Sequence, residues 1–281
     1  MSKKPLLVVF AGPNGSGKST VTNILYEYDK TLPELYINAD SYKRKYNCSD
    51  LEAAQKSDEM RKTALEQKQS FVTETVMSTP GKINLMKEAK SKGYEVQLIF
   101  VMTQQVNINI ERVKERYKKG EHDVPIEKIE KRYPLSLQLM PIAIQTADMA
   151  MVYNNSFIDP RLILRKINKE IEIFPQNPPN LDSKWTKAAL ENLKATIEDL
   201  ENRNPPKNYY QYLKTFSKNI SDTTMAQNLL LQKYPPKEII KFIANYSPNS
   251  DDDSDKALSY AKTIMTKLTQ PQKSPTPVLT R

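Results

Sequence analysis

Residues 12–19 of the chain read GPNGSGKS, the pattern G-x-x-x-x-G-K-[ST]. In such a loop the backbone N–H groups of about residues 14–19 turn inward and the following helix adds partial positive charge, so phosphate oxygens complete the missing hydrogen bonds. The contributing residues are Gly12, Pro13, Asn14, Gly15, Ser16, Gly17, Lys18, Ser19 and Thr20. Lys18 suits the bridge between β- and γ-phosphates of ATP, and the Ser19 hydroxyl suits Mg²⁺. A Gly-rich turn that merely caps a helix is the bland alternative.

Three more sets of residues bear on what happens to the nucleotide. Asp40, in INAD, ends a predicted strand and can take the proton of an attacking hydroxyl, or can cap the helix that follows. Glu74 and Thr75, in FVTET, end another strand, where they can bind acceptor hydroxyls or a metal-bound water; a cap or salt bridge is the alternative for Glu74. Arg112, Arg116 and Arg132 lie on two predicted helices around KKGEHDVP. A helical lid there would use planar, permanently charged guanidinium groups on the transferred phosphoryl, whereas a solvated face is the ordinary fate of such arginines. No N-K-x-D guanine motif occurs, and the apolar run 96–102 ends in Thr103 and Gln104 where many motor and switch NTPases carry Asp. This favours a small kinase.

The positioning elements alternate as in a parallel α/β sheet. Strands are expected at 5–10, 36–38, 70–73, 96–102 and 149–153. Helices are expected at 18–28, 49–69, 81–92, 106–119 and 125–145, the last interrupted at Pro134 and Pro141. Strand carboxyl ends form the ligand crevice of an open sheet, so Asp40 and the loop should share one cavity. The fold class is thus α/β, a P-loop NTPase/kinase-type parallel sheet covered by helices over 1–174. A linker follows at 175–180 (PQNPPN). Residues 181–268 form an additional helical C-terminal region with segments at 183–202, 206–218, 222–246 and 254–268, and 269–281 is a disordered tail.

Composition narrows the class further. Only 6 glycines occur in 281 residues, three of them at 12, 15 and 17, where a ligand must approach the backbone closely. No stretch approaches the ~18 apolar residues of a membrane span, and the short apolar run after Lys4 enters the loop directly, so the chain is expected to be cytoplasmic. One cysteine, Cys48, and one histidine, His122, argue against disulfides and a Cys/His zinc site. The net charge of +9 is spread out, with no block of like charge that singles out nucleic acid.

With AGPNGSGKST, NAD, FVTETVMSTPGK, RVKERYKKGEHDVPIEKIEKRYPLSL and VYNNS in that order, residues 5–174 resemble the zeta toxin family of P-loop kinases. Members of that family include kinases that phosphorylate UDP-N-acetylglucosamine at the 3'-hydroxyl of its sugar and starve cell-wall synthesis. The resemblance implies Lys18 and Ser19 for ATP and Mg²⁺, Asp40 as base, Glu74 and Thr75 for the acceptor, and arginines between 112 and 132 for phosphates. It also implies a nucleotide-sugar acceptor and an antitoxin protein as partners. Two departures stand out: Gly120 is followed by Glu121 where two glycines are usual, and Asn154 stands where many members have Asp. His122 falls in the lid motif, where it would touch nucleotide or cap a turn. Residues 181–281 lie outside the resemblance. The competing functions are a nucleotide-controlled binding protein and a nucleic-acid 5'-hydroxyl kinase.

Overall fold

The computed structural model describes residues 4–120, 124–174, 187–202, 221–231, 234–247, 249 and 253–269. The chain forms two compact units, Met1–Lys218 and Asn219–Arg281. The break at 175–180, the segment 206–218, His122 and nearly all of the proposed tail lie outside the described residues.

Among the described residues the first unit is built on seven strands: β1 (Leu6–Ala11), β2 (Tyr36–Ile37), β3 (Phe71–Thr75), β4 (Glu95–Met102), β5 (Met149–Asn154), β6 (Arg161–Ile167) and β7 (Glu170–Ile173). Their order is β2-β3-β1-β4-β5-β6-β7; the first five are parallel and the last two antiparallel. LLVVFA sits centrally because an unbroken apolar run can bury both faces, which parallel strands covered by helices require. Register pairs Phe10 with Glu74 and Ala11 with Thr75, so the carboxylate-bearing end of β3 lies beside the strand that feeds the phosphate loop.

Helices α1 (Lys18–Tyr28), α2 (Ala39–Tyr46), α3 (Asp50–Glu66), α4 (Gly81–Ser91), α5 (Val106–Lys118), α6 (Ile126–Thr146) and α7 (Lys187–Glu201) belong to this unit. Val21 of α1 packs with Val8, Phe10, Val72, Ile99 and Val101 of the sheet. Helix α6 contacts α4, α5, α7 and β4. It is one continuous helix with Pro134 and Pro141 inside it, without the interruptions at these prolines expected from sequence. Each internal proline costs about 3 kcal/mol of helix, but every residue from Ser136 to Ile144 is buried, and that packing outweighs the lost backbone bonds. The far end of α6 is closed by Lys166 of β6, whose ammonium donates to Ile144 O, Gln145 O and Ala147 O at 3.1, 3.0 and 3.2 Å. The same ammonium pairs with Glu201 of α7 at 2.8 Å, tying α7 to the sheet.

The hairpin β6–β7 has no counterpart among the strands expected from sequence. Asn168, at φ 54°, makes its tight turn in the left-handed region that asparagine tolerates.

In the second unit α8 (Asp222–Leu231), α9 (Pro236–Tyr246) and α10 (Ser254–Thr269) pack against one another around Met225, Leu229, Ile239, Ile243, Ala261 and Met265. The segment 222–246 is two helices, divided at Pro235-Pro236, the proline pair that reads as a break in the sequence. Buried Asp222 accepts hydrogen bonds from Ser247 Oγ, Asn249 Nδ2 and Tyr260 OH at 2.7, 3.0 and 2.6 Å. Burial and that carboxylate push the Tyr260 phenol up to about 12. No helix among the described residues is long and apolar enough to cross a membrane.

Candidate functional site

The loop between β1 and α1 is held from behind by two asparagines. Asn109 of α5 donates through Nδ2 to Asn14 O at 2.6 Å, and its Oδ1 accepts from Thr103 Oγ1. Asn155, just after β5, donates through Nδ2 to Ser16 O at 2.8 Å. These anchors lie so close that a Cβ on Gly15 would meet Asn109 O at 2.4 Å and one on Gly17 would meet Asn155 Nδ2 at 2.1 Å. Gly17 also has φ +91°, a left-handed conformation that side chains disfavour. Sequence reasoning missed both asparagines as loop anchors. Their partners are 95 and 139 residues away, a relation that no local pattern encodes.

This loop fits phosphate. Gly17 is the N-cap of α1, where no side chain among the described residues caps the helix and no acidic residue occupies the first turn, so the N-terminal N–H groups are left for an anion. Asn14 Oδ1 and Ser16 Oγ are buried without a hydrogen-bond partner among the described residues. Lys18 is 8% exposed and its ammonium donates to Pro13 O at 3.0 Å. Burial lowers its pKa below the usual lysine value; Glu74 and Asp40 oppose that shift and Arg116 adds to it. All three charged groups therefore act on the same ammonium.

Ser19 Oγ donates to Glu74 Oε1 at 3.2 Å. The other oxygen, Oε2, accepts from Tyr36 OH at 2.6 Å and Asn38 Nδ2 at 3.3 Å. Burial, followed by the Glu74 charge, pushes the Tyr36 phenol up, so it remains a donor. A carboxylate beside the loop serine is the donor set that suits Mg²⁺. It comes from the end of β3, next to β1, while β4 ends in Met102 and is followed by Thr103.

Asp40 stands exposed in the first turn of α2. The cap of that helix is Asn38, whose Oδ1 accepts from Asp40 N and Ser41 N at 2.7 and 3.3 Å, so the Asp40 carboxylate is not committed to capping. Thr75 Oγ1 accepts from Met77 N at 3.0 Å, which occupies one of its lone pairs in the turn after β3.

The three arginines differ. Arg112 donates to Asn155 O at 2.7 Å, and burial lowers its pKa; it braces the segment that anchors the loop. Arg116, one turn further along the same face of α5, is half-buried and makes no hydrogen bond to protein among the described residues. Arg132, near the start of α6, is likewise half-buried and unbonded among the described residues. Beside Arg112 opens a hollow lined by Ser156, Phe157, Ile158, Asp159 and Arg161, with the Arg161 guanidinium 4.4 Å from the Phe157 ring centroid. Asn154 keeps the acceptor half of an aspartate: its Oδ1 accepts from Ser156 N and Ser156 Oγ at 3.1 and 2.7 Å, while its buried Nδ2 has no partner among the described residues.

Residues 1–140 match the family model described as zeta toxin. An uncharacterized protein of Haemophilus influenzae is 30% identical over 131 residues, spanning 45% of this chain and 91% of that protein. Among solved structures, the AvrRxo1-ORF1:-ORF2 complex with ATP is similar at a TM-score of 0.52 and 13% identity, covering 93% of this chain and 81% of that chain. The PezAT toxin-antitoxin system of Streptococcus pneumoniae aligns at a TM-score of 0.45 and 16% identity, covering 86% and 88%.

Proposed function

The chain belongs to the zeta toxin family, whose members are P-loop kinases, and we propose that it transfers the γ-phosphate of ATP to a hydroxyl of a nucleotide sugar such as UDP-N-acetylglucosamine. The observation that carries this reading is the convergence of Lys18, Ser19, Glu74 and Asp40 at the carboxyl ends of three adjacent parallel strands. Loop N–H groups and Lys18 bind the phosphates. Ser19 and Glu74 would hold Mg²⁺, which would supply charge neutralisation for the phosphates. Asp40 accepts the proton of the acceptor hydroxyl as that oxygen bonds to the γ-phosphorus and the bond to ADP breaks. Arg116 and Arg132, with no hydrogen bond to protein among the described residues, stabilise the charge that spreads over the transferred group. Arg112 acts by bracing Asn155, and the hollow beside it receives the nucleoside end of ATP. Thr75, on the β3 side, contacts the acceptor. A toxin of this kind requires a protein antitoxin that masks the site, and the proposal includes one.

The test is incubation with γ-labelled ATP and separate panels of nucleotide sugars, nucleosides and 5'-hydroxyl oligonucleotides. Label is expected on a nucleotide sugar, and Asp40→Asn is expected to lower the transfer rate by about 10²–10⁴-fold with ATP binding kept. Full acceptor-dependent activity in Asp40→Asn would remove the assigned base. Label on oligonucleotides alone would replace the acceptor class. Slow hydrolysis with nucleotide-dependent capture of a protein and no labelled acceptor would replace the kinase by a switch.

A further inference from the structure

Phosphoryl transfer in this site uses two carboxylates on different elements, Glu74 on β3 and Asp40 on α2. One side chain touches both elements. Asn38 Oδ1 accepts from the Asp40 and Ser41 backbone N–H groups at the start of α2. Its Nδ2 donates to Tyr36 OH at 3.0 Å and Glu74 Oε2 at 3.3 Å. Tyr36 OH donates to the same Oε2, and Glu74 Oε1 accepts from Ser19 Oγ. The amide orientation follows from chemistry: reversed, it would set NH₂ against two N–H groups and a carbonyl against a carboxylate. Hydrogen bonds thus run without interruption from the phosphate loop through Glu74 and Asn38 to the backbone of Asp40.

Capping alone does not account for this arrangement. A cap needs only an acceptor oxygen, which Ser or Asp supplies as well as Asn. The donor half of the Asn38 amide is surplus to capping, and it is directed at the one carboxylate bonded to the loop serine. Tyr36 holds the same oxygen from the side, with a shorter bond. Aspartate at 38 would face Glu74 with a second negative charge, and serine would be too short to reach it.

We infer that Asn38 is a positioning residue that couples the loop-side carboxylate Glu74 to the helix carrying Asp40, with Tyr36 completing the hold on Glu74. A change at Ser19 and Glu74 when nucleotide and metal bind is thereby transmitted to the backbone that places the base. This rests on the phosphotransfer reading for its consequence in catalysis, but the coupling itself is measurable without any acceptor.

The experiment compares the full-length wild type with Asn38→Ser, Asn38→Ala and Tyr36→Phe. Serine keeps the cap and cuts the link, whereas alanine removes both; Asn38→Ser should therefore melt close to wild type and Asn38→Ala a few degrees lower. Backbone amide resonances are then followed by NMR on addition of AMP-PNP, with and without Mg²⁺. In wild type the Asp40 and Ser41 amides are expected to shift when Mg²⁺ joins AMP-PNP. In Asn38→Ser that shift disappears while the amides of the phosphate loop still respond, and in Tyr36→Phe it is reduced. With UDP-N-acetylglucosamine as the probe acceptor, kcat of Asn38→Ser should fall about tenfold, as loss of an outer-shell partner does. Retention of the Asp40 and Ser41 response in Asn38→Ser, or its absence in wild type, overturns the coupling. A coupled wild type that phosphorylates no acceptor sinks the proposed function and leaves the coupling standing.

Discussion

Gly17→Ala tests whether the phosphate loop is shaped by its own backbone or by the asparagine behind it. The native φ of +91° is left-handed, which costs an L-residue about 1–2 kcal/mol. The new Cβ would lie 2.1 Å from Asn155 Nδ2, so the amide must swing away and give up its 2.8 Å bond to Ser16 O. Leaving a buried carbonyl unpaired adds about 1–3 kcal/mol, for a total of about 2–5 kcal/mol. In a unit of this size that corresponds to a fall in Tm of roughly 4–20 °C. Thermal unfolding without nucleotide measures it, and titration with AMP-PNP measures the accompanying loss of phosphate binding. Asn155→Ala loses the same hydrogen bond but introduces no clash. In the double variant that bond can be lost only once and the obstacle is gone, so the combined cost should fall short of the sum by about 1–3 kcal/mol. Strict additivity, or a cost for Gly17→Ala below about 1 kcal/mol, would refute the role assigned to Asn155 in shaping the loop.

Two other perturbations follow from buried lysines. Lys166→Met removes three bonds to the end of α6 and leaves the Glu201 carboxylate, 20% exposed, without its cation. A loss of about 3–5 kcal/mol is expected in urea unfolding, partly restored in Lys166→Met/Glu201→Gln, and a loss below about 1 kcal/mol would show that the pair does not tie α7 to the sheet. Lys18 has its pKa lowered, chiefly by burial, so its charge is complete below that lowered value and is lost as pH rises through it. Affinity for AMP-PNP measured by calorimetry should therefore decline at a lower pH than an ordinary lysine would give, and an affinity flat to about pH 10 would contradict the shift.

The parts of the site that are legible in the sequence are those whose physics is local. A loop that must cradle phosphate needs glycines within a few residues of one another and a lysine at the helix start, and GPNGSGKS states that in eight letters. The places of Asp40, three residues past β2, and Glu74, near the end of β3, are also legible, since the carboxyl ends of parallel strands form the crevice of the sheet. Prolines mislead, because their cost to α6 is a local quantity while the burial that outweighs it comes from the sheet and from α4 and α7. The hairpin β6–β7 escapes sequence reasoning for a related reason: it turns on Asn168-Lys169, without the glycine that usually marks a two-residue turn. What sequence cannot deliver is the second layer, Asn109 and Asn155 behind the loop and Tyr36 and Asn38 behind Glu74. Each is a neutral polar residue whose role depends on a partner in another element, and such residues are common on any surface. INAD illustrates the point within four letters: its aspartate stands out as the chemical group, yet it is the asparagine two places earlier that caps the helix and reaches Glu74. Reading the charged group as reagent and its neutral neighbour as filler inverts the dependence, because the position of Asp40 relative to Glu74 is set by the amide between them.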